Sequence, residues 1–312
     1  MRSRPSPVPH GRTARRLGWA HLPPHVREQI QQRCGSTVVD ATSQDSGFTP
    51  GFASVLTCED GSRHFVKAAS VSAQRMFAAA YRQEGHTLAA LPADVPAAGL
   101  RWLIDDDWVV LGLEYVHGRH PHRPWTHADL DASLDALELC AETLTPAPPD
   151  LYLDTFAAEL GPFASLWDRV RATRNLAHAD EAADLAAGCV EVTVGDTVVH
   201  TDLRDDNVLL TADGAMFCDW NWPVIGAAWV DTVMIMIGPR GDGLDVDAAL
   251  AQRPLTRDVP AEHIDRLIAL LTGYFLKSAD DPVPSNSPHL RDHQRWQGEV
   301  CWDWLSERRG WS

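Results

Sequence analysis

The segment from Val198 to Pro223, VVHTDLRDDNVLLTADGAMFCDWNWP, constrains the fold more than any other part of the chain. Two short apolar runs flank an Asp213–Gly214 pair, which is typical of a tight hairpin turn. A hairpin brings the outer ends of its two strands together. We therefore expect Asp202, Asn207 and Asp219 to meet at one mouth.

These three side chains share one chemical property, a hard oxygen donor. Hard oxygens suit Mg²⁺, which keeps several waters and shares its coordination shell with substrate phosphates. A loop that is polar only because it is exposed would explain the same residues. The spacing, the order and the flanking strands together favour a magnesium site.

The pattern His-x-Asp-x-x-x-x-Asn, followed by a strand-borne Asp, resembles the aminoglycoside phosphotransferase family, a kinase-like group of small-molecule phosphotransferases. The matching residues are His200, Asp202, Asn207, Asp219 and Trp220. The sequence differs at Thr201, where that family usually has Gly. The resemblance also takes in Lys67, Glu84 and Glu114, and it covers most of residues 38–305.

The resemblance implies a role for each of these side chains in transferring a phosphoryl group. Asp202 would accept the proton of the substrate hydroxyl, while Asn207 and Asp219 would hold Mg²⁺. Arg204 would neutralise charge on the transferred group, with a plain salt bridge as the alternative. His200 is expected to support the loop rather than to take a proton.

Three more positions receive roles from the resemblance. Backbone groups near Glu114 and Val116 would meet the adenine base of the nucleotide. Asp231 opens an apolar helix and would hold the loop from behind. The alternative for Asp231 is a charge that stabilises the N-terminus of that helix.

A predicted ion pair lies upstream. Lys67 ends an apolar strand, and Glu84 lies on the apolar stripe of a helix predicted over residues 72–91. A charge on each of two apolar surfaces is costly to bury alone, so we expect the two to pair. By resemblance, Lys67 would orient the ATP phosphates.

The loop before the second strand lies where kinases cover the phosphates. It lacks the G-x-G-x-x-G pattern, but Ser46, Gly47 and Thr49 offer N–H and hydroxyl donors to phosphate oxygens. An ordinary hairpin loop is an equally good interpretation of this segment alone.

We therefore predict an α+β fold with two lobes of the protein-kinase type. The N-lobe would span residues 17–116 and the linker residues 117–126. A mainly helical C-lobe would span residues 127–312 and contain the hairpin of residues 198–223. Residues 1–16, which hold five Arg and no acidic residue, are expected to form a disordered basic tail.

Composition limits the partners. The net charge of −16 argues against a nucleic-acid partner and fits both solubility and the attraction of cationic small molecules. The six cysteines form no C-x-x-C pair, which indicates buried thiols in a reducing compartment rather than a disulfide or zinc framework. With no secretory signal and no run near the roughly 18 apolar residues of a membrane span, we expect a cytoplasmic protein without a membrane partner.

The predicted function is phosphorylation of a small-molecule hydroxyl by ATP, with GTP as an alternative donor. A cationic, aminoglycoside-like acceptor, and with it antibiotic resistance, is one hypothesis. A neutral sugar, a nucleoside or a biosynthetic intermediate is the other. Candidate acceptor contacts are Trp220, Asn221, Asp303 and Asp242, the last on a loop predicted over residues 238–243. The sequence leaves the oligomeric state open.

Two other functional classes compete. A metal-dependent hydrolase would use His200, Asp202 and Asp219 but would leave Lys67 and Glu84 unexplained. A nucleotide-binding pseudokinase module would not need the complete set of polar residues that this chain carries.

Overall fold

The computed structural model describes residues 3–311. The chain has an α+β fold, in which a five-stranded antiparallel sheet precedes a mostly helical part. The predicted fold class is confirmed. None of the described helices is long and apolar enough to cross a membrane.

The N-lobe is built on a sheet with the strand order β1-β2-β3-β5-β4. Its strands are β1 (Val38–Ser43), β2 (Phe52–Cys58), β3 (Arg63–Ser70), β4 (Leu100–Asp105) and β5 (Trp108–Glu114). Its helices are α1 (Pro24–Cys34) and α2 (Arg75–Ala90). All four strand pairs are antiparallel.

Both faces of this sheet are covered, and the alternation of side chains along a strand decides which helix each one meets. Val66 and Ala68 of β3 pack in a cluster that includes α1. Ala69 packs on the opposite face, against Tyr81 of α2. Lys67 shares the face of Ala69, so the strand register directs it toward α2.

The C-lobe packs its helices around α11. Its elements are α3 (His127–Thr143), α4 (Phe156–Glu159), α5 (Trp167–Thr173), α6 (Ala179–Ala187), α7 (Cys189–Val192), β6 (Thr197–Val199), β7 (Val208–Thr211), β8 (Gly214–Phe217), β9 (Val224–Gly226), α8 (Val230–Ile235), α9 (Ile237–Asp242), α10 (Val246–Gln252), α11 (Ala261–Ser278) and α12 (Leu290–Arg309). Strands β7 and β8 form the hairpin predicted from Asp213–Gly214, and β6 pairs with β9.

The segment between the lobes is tied to the hairpin. Arg119 and Leu210 exchange backbone hydrogen bonds of 3.0 and 2.7 Å. Gly118 allows this close approach, because a Cβ atom there would lie 2.7 Å from both Leu210 O and the Leu209 side chain. The Thr126 hydroxyl then accepts the Asp129 N–H at 3.1 Å and caps α3.

Two segments differ from their predicted conformation. Residues 238–243, expected as a loop, lie largely within α9. Residues 3–16, expected to be disordered, instead follow the body of the protein, and Val8, Thr13 and Ala14 are buried. Sequence composition gave no sign of this path, because the partners of the segment lie far away along the chain.

Candidate active site

The loop of residues 200–207 joins β6 to β7, and the hairpin returns the chain to it. Asn207 Nδ2 donates to the backbone oxygen of Asp202 at 2.8 Å and to its Oδ2 at 3.2 Å. The Cys218 N–H donates to Asn207 O at 2.9 Å, which brings the next residue, Asp219, to the same mouth. The three predicted oxygen donors therefore lie together.

His200 supports this loop from inside the protein, where only 1% of its surface is exposed. Its Nε2 lies 2.8 Å from Cys218 O, and the Asp202 N–H donates to its Nδ1 at 3.3 Å. These partners fit a neutral ring with its proton on Nε2. Burial lowers the pKa of His200, so the ring is suited to positioning the loop rather than to taking a proton.

Asp231 holds the loop from behind, as the sequence predicted. Its carboxylate accepts the backbone N–H groups of His200 at 2.6 Å and of Thr201 at 2.9 Å. Thr201 has φ +63°, a left-handed conformation that is strained for a β-branched residue. The Thr201 hydroxyl donates to Trp222 O at 2.7 Å, and this bond together with Asp231 secures the strained turn.

Arg204 bridges two carboxylates at the mouth. Its Nε and Nη2 donate to Asp206 at 2.9 and 3.1 Å, and its Nη1 donates to Asp202 Oδ1. Burial raises the pKa of Asp202 against the opposing effect of Arg204. Burial would also raise the pKa of Asp206, but Arg204 lowers it below its usual range.

Lys67 crosses from the sheet to the mouth. Its Nζ lies 2.7 and 2.9 Å from the Glu84 carboxylate oxygens and also contacts Asp219 Oδ1. The predicted Lys67–Glu84 ion pair is thus present, and both side chains are at least 95% buried. Burial alone would lower the pKa of Lys67, but Asp219 and Glu84 raise it above its usual value. The same ammonium lowers the pKa of Asp219, against the effect of burial.

The loop between β1 and β2 reaches across to the mouth. Ser46 Oγ lies 3.3 Å from His120 Nε2, and a Cβ atom on Gly47 would lie 3.4 Å from Asp206 Oδ2. Thr49 lies half-buried in the same loop. Gly51 permits the close packing that ends the loop, because a Cβ atom there would lie 2.6 Å from the Tyr81 hydroxyl.

The predicted adenine contacts lie at the end of β5. The Glu114 backbone N–H donates to Gly99 O at 2.8 Å, and its exposed carboxylate pairs with Arg101 at 3.2 Å. Val116 follows in the half-buried start of the linker. Their contact with a nucleotide stays a prediction.

The two candidate acceptor contacts that follow Asp219 are buried. Trp220 is 2% exposed, packs edge-on against His200 and donates from Nε1 to Phe217 O at 3.1 Å. Its side chain therefore supports the loop and does not face a substrate. Asn221 is 6% exposed, and its Oδ1 has no hydrogen-bond partner among the described residues. The neighbouring Trp222 is the exposed aromatic ring of this turn.

The two candidate acids of the C-lobe lie at different places. Asp242 accepts the Trp125 N–H at 2.8 Å and lines a small cavity beside the loop of residues 200–207. Asp303 pairs with Arg4 at 2.9 Å. Of these two acids, only Asp242 lies beside the mouth. Among the described residues, it makes no hydrogen bond to an arginine.

Three residues that sequence reasoning did not single out contribute to the mouth. Arg123 of the linker forms a two-pronged ion pair with Asp205, the neighbour of Asp206. His293 of α12 stacks at 4.8 Å on Phe48, which belongs to the β1–β2 loop. In the sequence, only the two adjacent acids at positions 205 and 206 indicated that charged contacts form here.

The six cysteines are free thiols, as expected, but two of them lie close to each other and to a histidine. Cys34, Cys58 and His64 bring their donor atoms within 4.8 Å of one another on the far side of the N-lobe. The sequence had indicated separate buried thiols, since 23 positions lie between the two cysteines. The pairing of α1 with the β2–β3 turn brings the three residues together.

The sequence matches no protein-family model and no curated protein sequence. The fold, in contrast, is shared with solved structures. A spectinomycin phosphotransferase in complex with ADP and spectinomycin matches with a TM-score of 0.64 and 10% identity over 91% of this chain and 98% of that one. Choline kinase from Streptococcus pneumoniae matches with a TM-score of 0.59 and 12% identity over 91% and 99%.

An aminoglycoside phosphotransferase from Alicyclobacillus acidocaldarius matches with a TM-score of 0.55 and 13% identity over 95% of this chain and 99% of that one. At these identities the similarity establishes the fold alone. The chain has the kinase-like phosphotransferase fold over nearly its whole length.

Proposed function

We propose that the protein transfers the γ-phosphoryl group of ATP to a hydroxyl group of a small molecule. The observation that carries this proposal is the meeting of Lys67, Asp219, Asn207 and Asp202 at one mouth, although the first lies on the sheet and the others on the hairpin. Phosphoryl transfer depends on positioning and on charge stabilisation, and this set supplies both.

Each residue has a defined part in the proposed reaction. Asp202 accepts the proton of the acceptor hydroxyl, and its raised pKa brings it closer to the operating pH of a base. Lys67, held by Glu84, orients the nucleotide phosphates. Arg204 lies against Asp202 and supplies positive charge where the phosphoryl group passes.

The donor chemistry of the mouth fits Mg²⁺. Asn207 and Asp219 would hold the ion, and the buried Asn221 Oδ1, which lacks a partner among the described residues, is a further hard oxygen. When bound, Mg²⁺ neutralises negative charge on the phosphates. GTP in place of ATP is compatible with every contact described above.

The buried ion pair weighs against the two competing classes. A hydrolase built on His200, Asp202 and Asp219 would have no use for Lys67 and Glu84, and His200 is occupied by the loop backbone. A pseudokinase module would tolerate the loss of Asp202. We therefore infer an active enzyme.

We propose a hydroxylated cation as the acceptor class. The charge of the mouth supports this choice, because Asp202, Asp206 and Asp242 lie on or beside it. The alternative is a neutral sugar, nucleoside or biosynthetic intermediate.

One experiment tests both the reaction and the acceptor class. Hydroxylated amines and neutral sugars are each incubated with ATP and Mg²⁺, and mass spectrometry detects the addition of one phosphate. The Debye length shrinks from about 10 Å at 0.1 M salt to about 3 Å at 1 M salt. If amines are phosphorylated less at the higher salt concentration, this result supports a cationic acceptor. Equal phosphorylation of neutral compounds without a salt effect would contradict the cationic class and leave the kinase reaction standing. No phosphorylation of any compound, with ATP intact, would contradict the kinase.

A further inference from the structure

The N-terminal segment, residues 3–16, lies along the side of the cleft where the acceptor would bind. At its start, Arg4 is held by four residues of the C-lobe. Its N–H donates to Gly241 O at 2.7 Å, and its backbone oxygen accepts from Trp296 Nε1 at 2.6 Å. Its guanidinium bonds to Glu299 at 2.8 Å and to Asp303 at 2.9 Å.

The middle of the segment closes a cavity next to Arg204, the partner of Asp202. Ser6 lines a cavity of about 20 Å³ together with Leu203, Arg204 and Asp242. That volume holds about one water, so no small-molecule acceptor fits while the segment is in place. Val8 is 5% exposed, and its backbone oxygen accepts from Arg123 Nη1 at 3.1 Å.

The end of the segment is fastened to the β1–β2 loop. The Thr13 hydroxyl donates to Gly47 O at 2.6 Å, and its N–H donates to Asp45 O at 3.1 Å. Arg16 Nη2 donates to Ser46 O at 2.8 Å. Both ends are therefore docked, one on the C-lobe and one on the N-lobe.

We propose that residues 3–16 form an intramolecular strap that occupies the acceptor groove and must leave before an acceptor binds. This proposal rests on the proposed function, because it identifies the groove beside Asp202 as the acceptor site. Release at Arg4 would open the acceptor side while Thr13 and Arg16 keep the other end fastened.

Hydrogen exchange on the full chain tests the docking of the strap. The amides of Arg4, Thr13 and Arg15 donate to the body of the protein, so they should exchange well below their intrinsic rates. Arg4→Ala removes the part-exposed pairs with both acids and should raise exchange at position 4 by up to about fivefold. Arg169→Ala, which removes an exposed arginine of α5, is the matched control and should change nothing.

Two results would overturn the proposal. One is that all three amides exchange at their intrinsic rates in the unaltered chain. The other is that the amide at position 4 exchanges equally fast in Arg4→Ala and in the unaltered chain. Exchange is read without any reaction, so a failure of phosphoryl transfer would leave this test intact. In an active enzyme, ATP hydrolysis without acceptor should be several-fold faster in Arg4→Ala than in Arg169→Ala, since the cavity beside Arg204 then opens to solvent. A slower rate would show that the strap assists catalysis and does not block it.

A separate inference concerns the cluster of Cys34, Cys58 and His64. Its three donor atoms lie within 4.8 Å of one another, with Cys58 buried and Cys34 and His64 half-buried. Ser62 Oγ contacts His64 Nε2 at 3.1 Å and Asp60 Oδ1 at 2.7 Å, a chain of the kind that orients a metal-binding imidazole. The geometry points to a site for Zn²⁺ with two thiolates, one imidazole and a fourth ligand from water.

Metal content decides this inference. The full chain, incubated with Zn²⁺ under reducing conditions and then desalted, should retain about one equivalent by elemental analysis. Cys58→Ser should retain none, whereas Cys140→Ala, which removes a buried thiol elsewhere, should retain the ion. The zinc site would be overturned if the unaltered chain retained no zinc, or if Cys58→Ser retained as much zinc as the unaltered chain.

Discussion

The two sides of the cleft differ in how their charges are satisfied. On the nucleotide side, Lys67 is closed in by Glu84 and Asp219, which belong to the core of the cleft itself. Under the N-terminal segment, which we propose covers the acceptor side, Glu299 and Asp303 are paired with Arg4 from the far end of the chain. In the proposed nucleotide side, the ion pairs of Lys67 are thus made between residues of the cleft itself, whereas the proposed acceptor side is covered by a segment from the end of the chain.

The burial of the two sets of ion pairs sharpens this contrast. Lys67 and Glu84 are 5% and 1% exposed, whereas Arg4 and Glu299 are 36% and 38% exposed. A buried pair loses several kcal/mol when one partner is removed, whereas an exposed pair contributes about 0–1 kcal/mol. The nucleotide side is therefore expected to be rigid and the cover of the acceptor side to be readily released.

The largest expected effect concerns the base. Asp202→Asn keeps the shape of the side chain and removes its capacity to take a proton. Turnover of an identified acceptor should fall by roughly 10²–10⁴-fold, the usual contribution of a positioned base. Steady-state kinetics with a phosphorylated acceptor measure this loss, and near-normal turnover would exclude Asp202 as the base.

Lys67→Ala should affect both nucleotide use and folding. The substitution leaves Glu84 as a buried carboxylate without its cation, which costs about 3–5 kcal/mol of unfolding free energy. Arg4→Ala is the comparison on the acceptor side and should cost about 1 kcal/mol or less. Urea unfolding measures both, and equal losses would remove the contrast between the two sides.

A buried histidine makes stability depend on pH. Burial lowers the pKa of His293 to about 4, so the folded protein keeps the ring neutral while the unfolded chain takes a proton below about pH 6.5. Stability should therefore be complete above that pH and fall by up to about 1.4 kcal/mol per pH unit toward pH 4. In His293→Phe, which retains an aromatic ring against Phe48, the fall should be smaller. Urea midpoints at several pH values test this, and parallel curves for the two proteins would contradict it.

The smallest expected effect lies at the strained turn. Thr201→Gly relieves a left-handed conformation that costs about 1–2 kcal/mol, but it loses the bond to Trp222 O and adds chain entropy to the unfolded state. Its unfolding free energy should stay within about 1 kcal/mol of the unaltered chain. Thr201→Val keeps the strain, loses the bond and should be less stable by about 1–2 kcal/mol. Greater stability of the valine variant would contradict this account of the turn.

The sequence predicted which side chains of the proposed nucleotide side lie together, because its signals there are local. The spacing of Asp202, Asn207 and Asp219 spans one hairpin, and Lys67 and Glu84 lie on neighbouring elements whose apolar periodicity fixes their direction. The role of Asp231 came from the resemblance, because its place at the start of an apolar helix by itself indicates no more than a charge at a helix N-terminus. A pattern of a few residues is sufficient wherever the partners are close in the chain.

The acceptor side could not be predicted in this way. Arg4 is 299 positions from Asp303, and no periodicity joins them. Trp220 shares the motif of the resembling family, yet its indole is buried against His200, because an aromatic ring next to a loop can support that loop as readily as it can face a substrate. Substrate contacts come from loops and termini whose positions depend on the finished fold.

The most direct test of the complete nucleotide side is calorimetry with a non-hydrolysable ATP analogue. We predict tight binding of the analogue in the presence of Mg²⁺, weak binding without it, and loss of the Mg²⁺ effect in Asp219→Ala. Mg²⁺ alone should bind weakly, since the ion completes its shell with phosphates. Two results would contradict the account. One is tight binding of Zn²⁺ that is lost in Asp219→Ala, and the other is binding of the analogue with the same affinity whether or not Mg²⁺ is present.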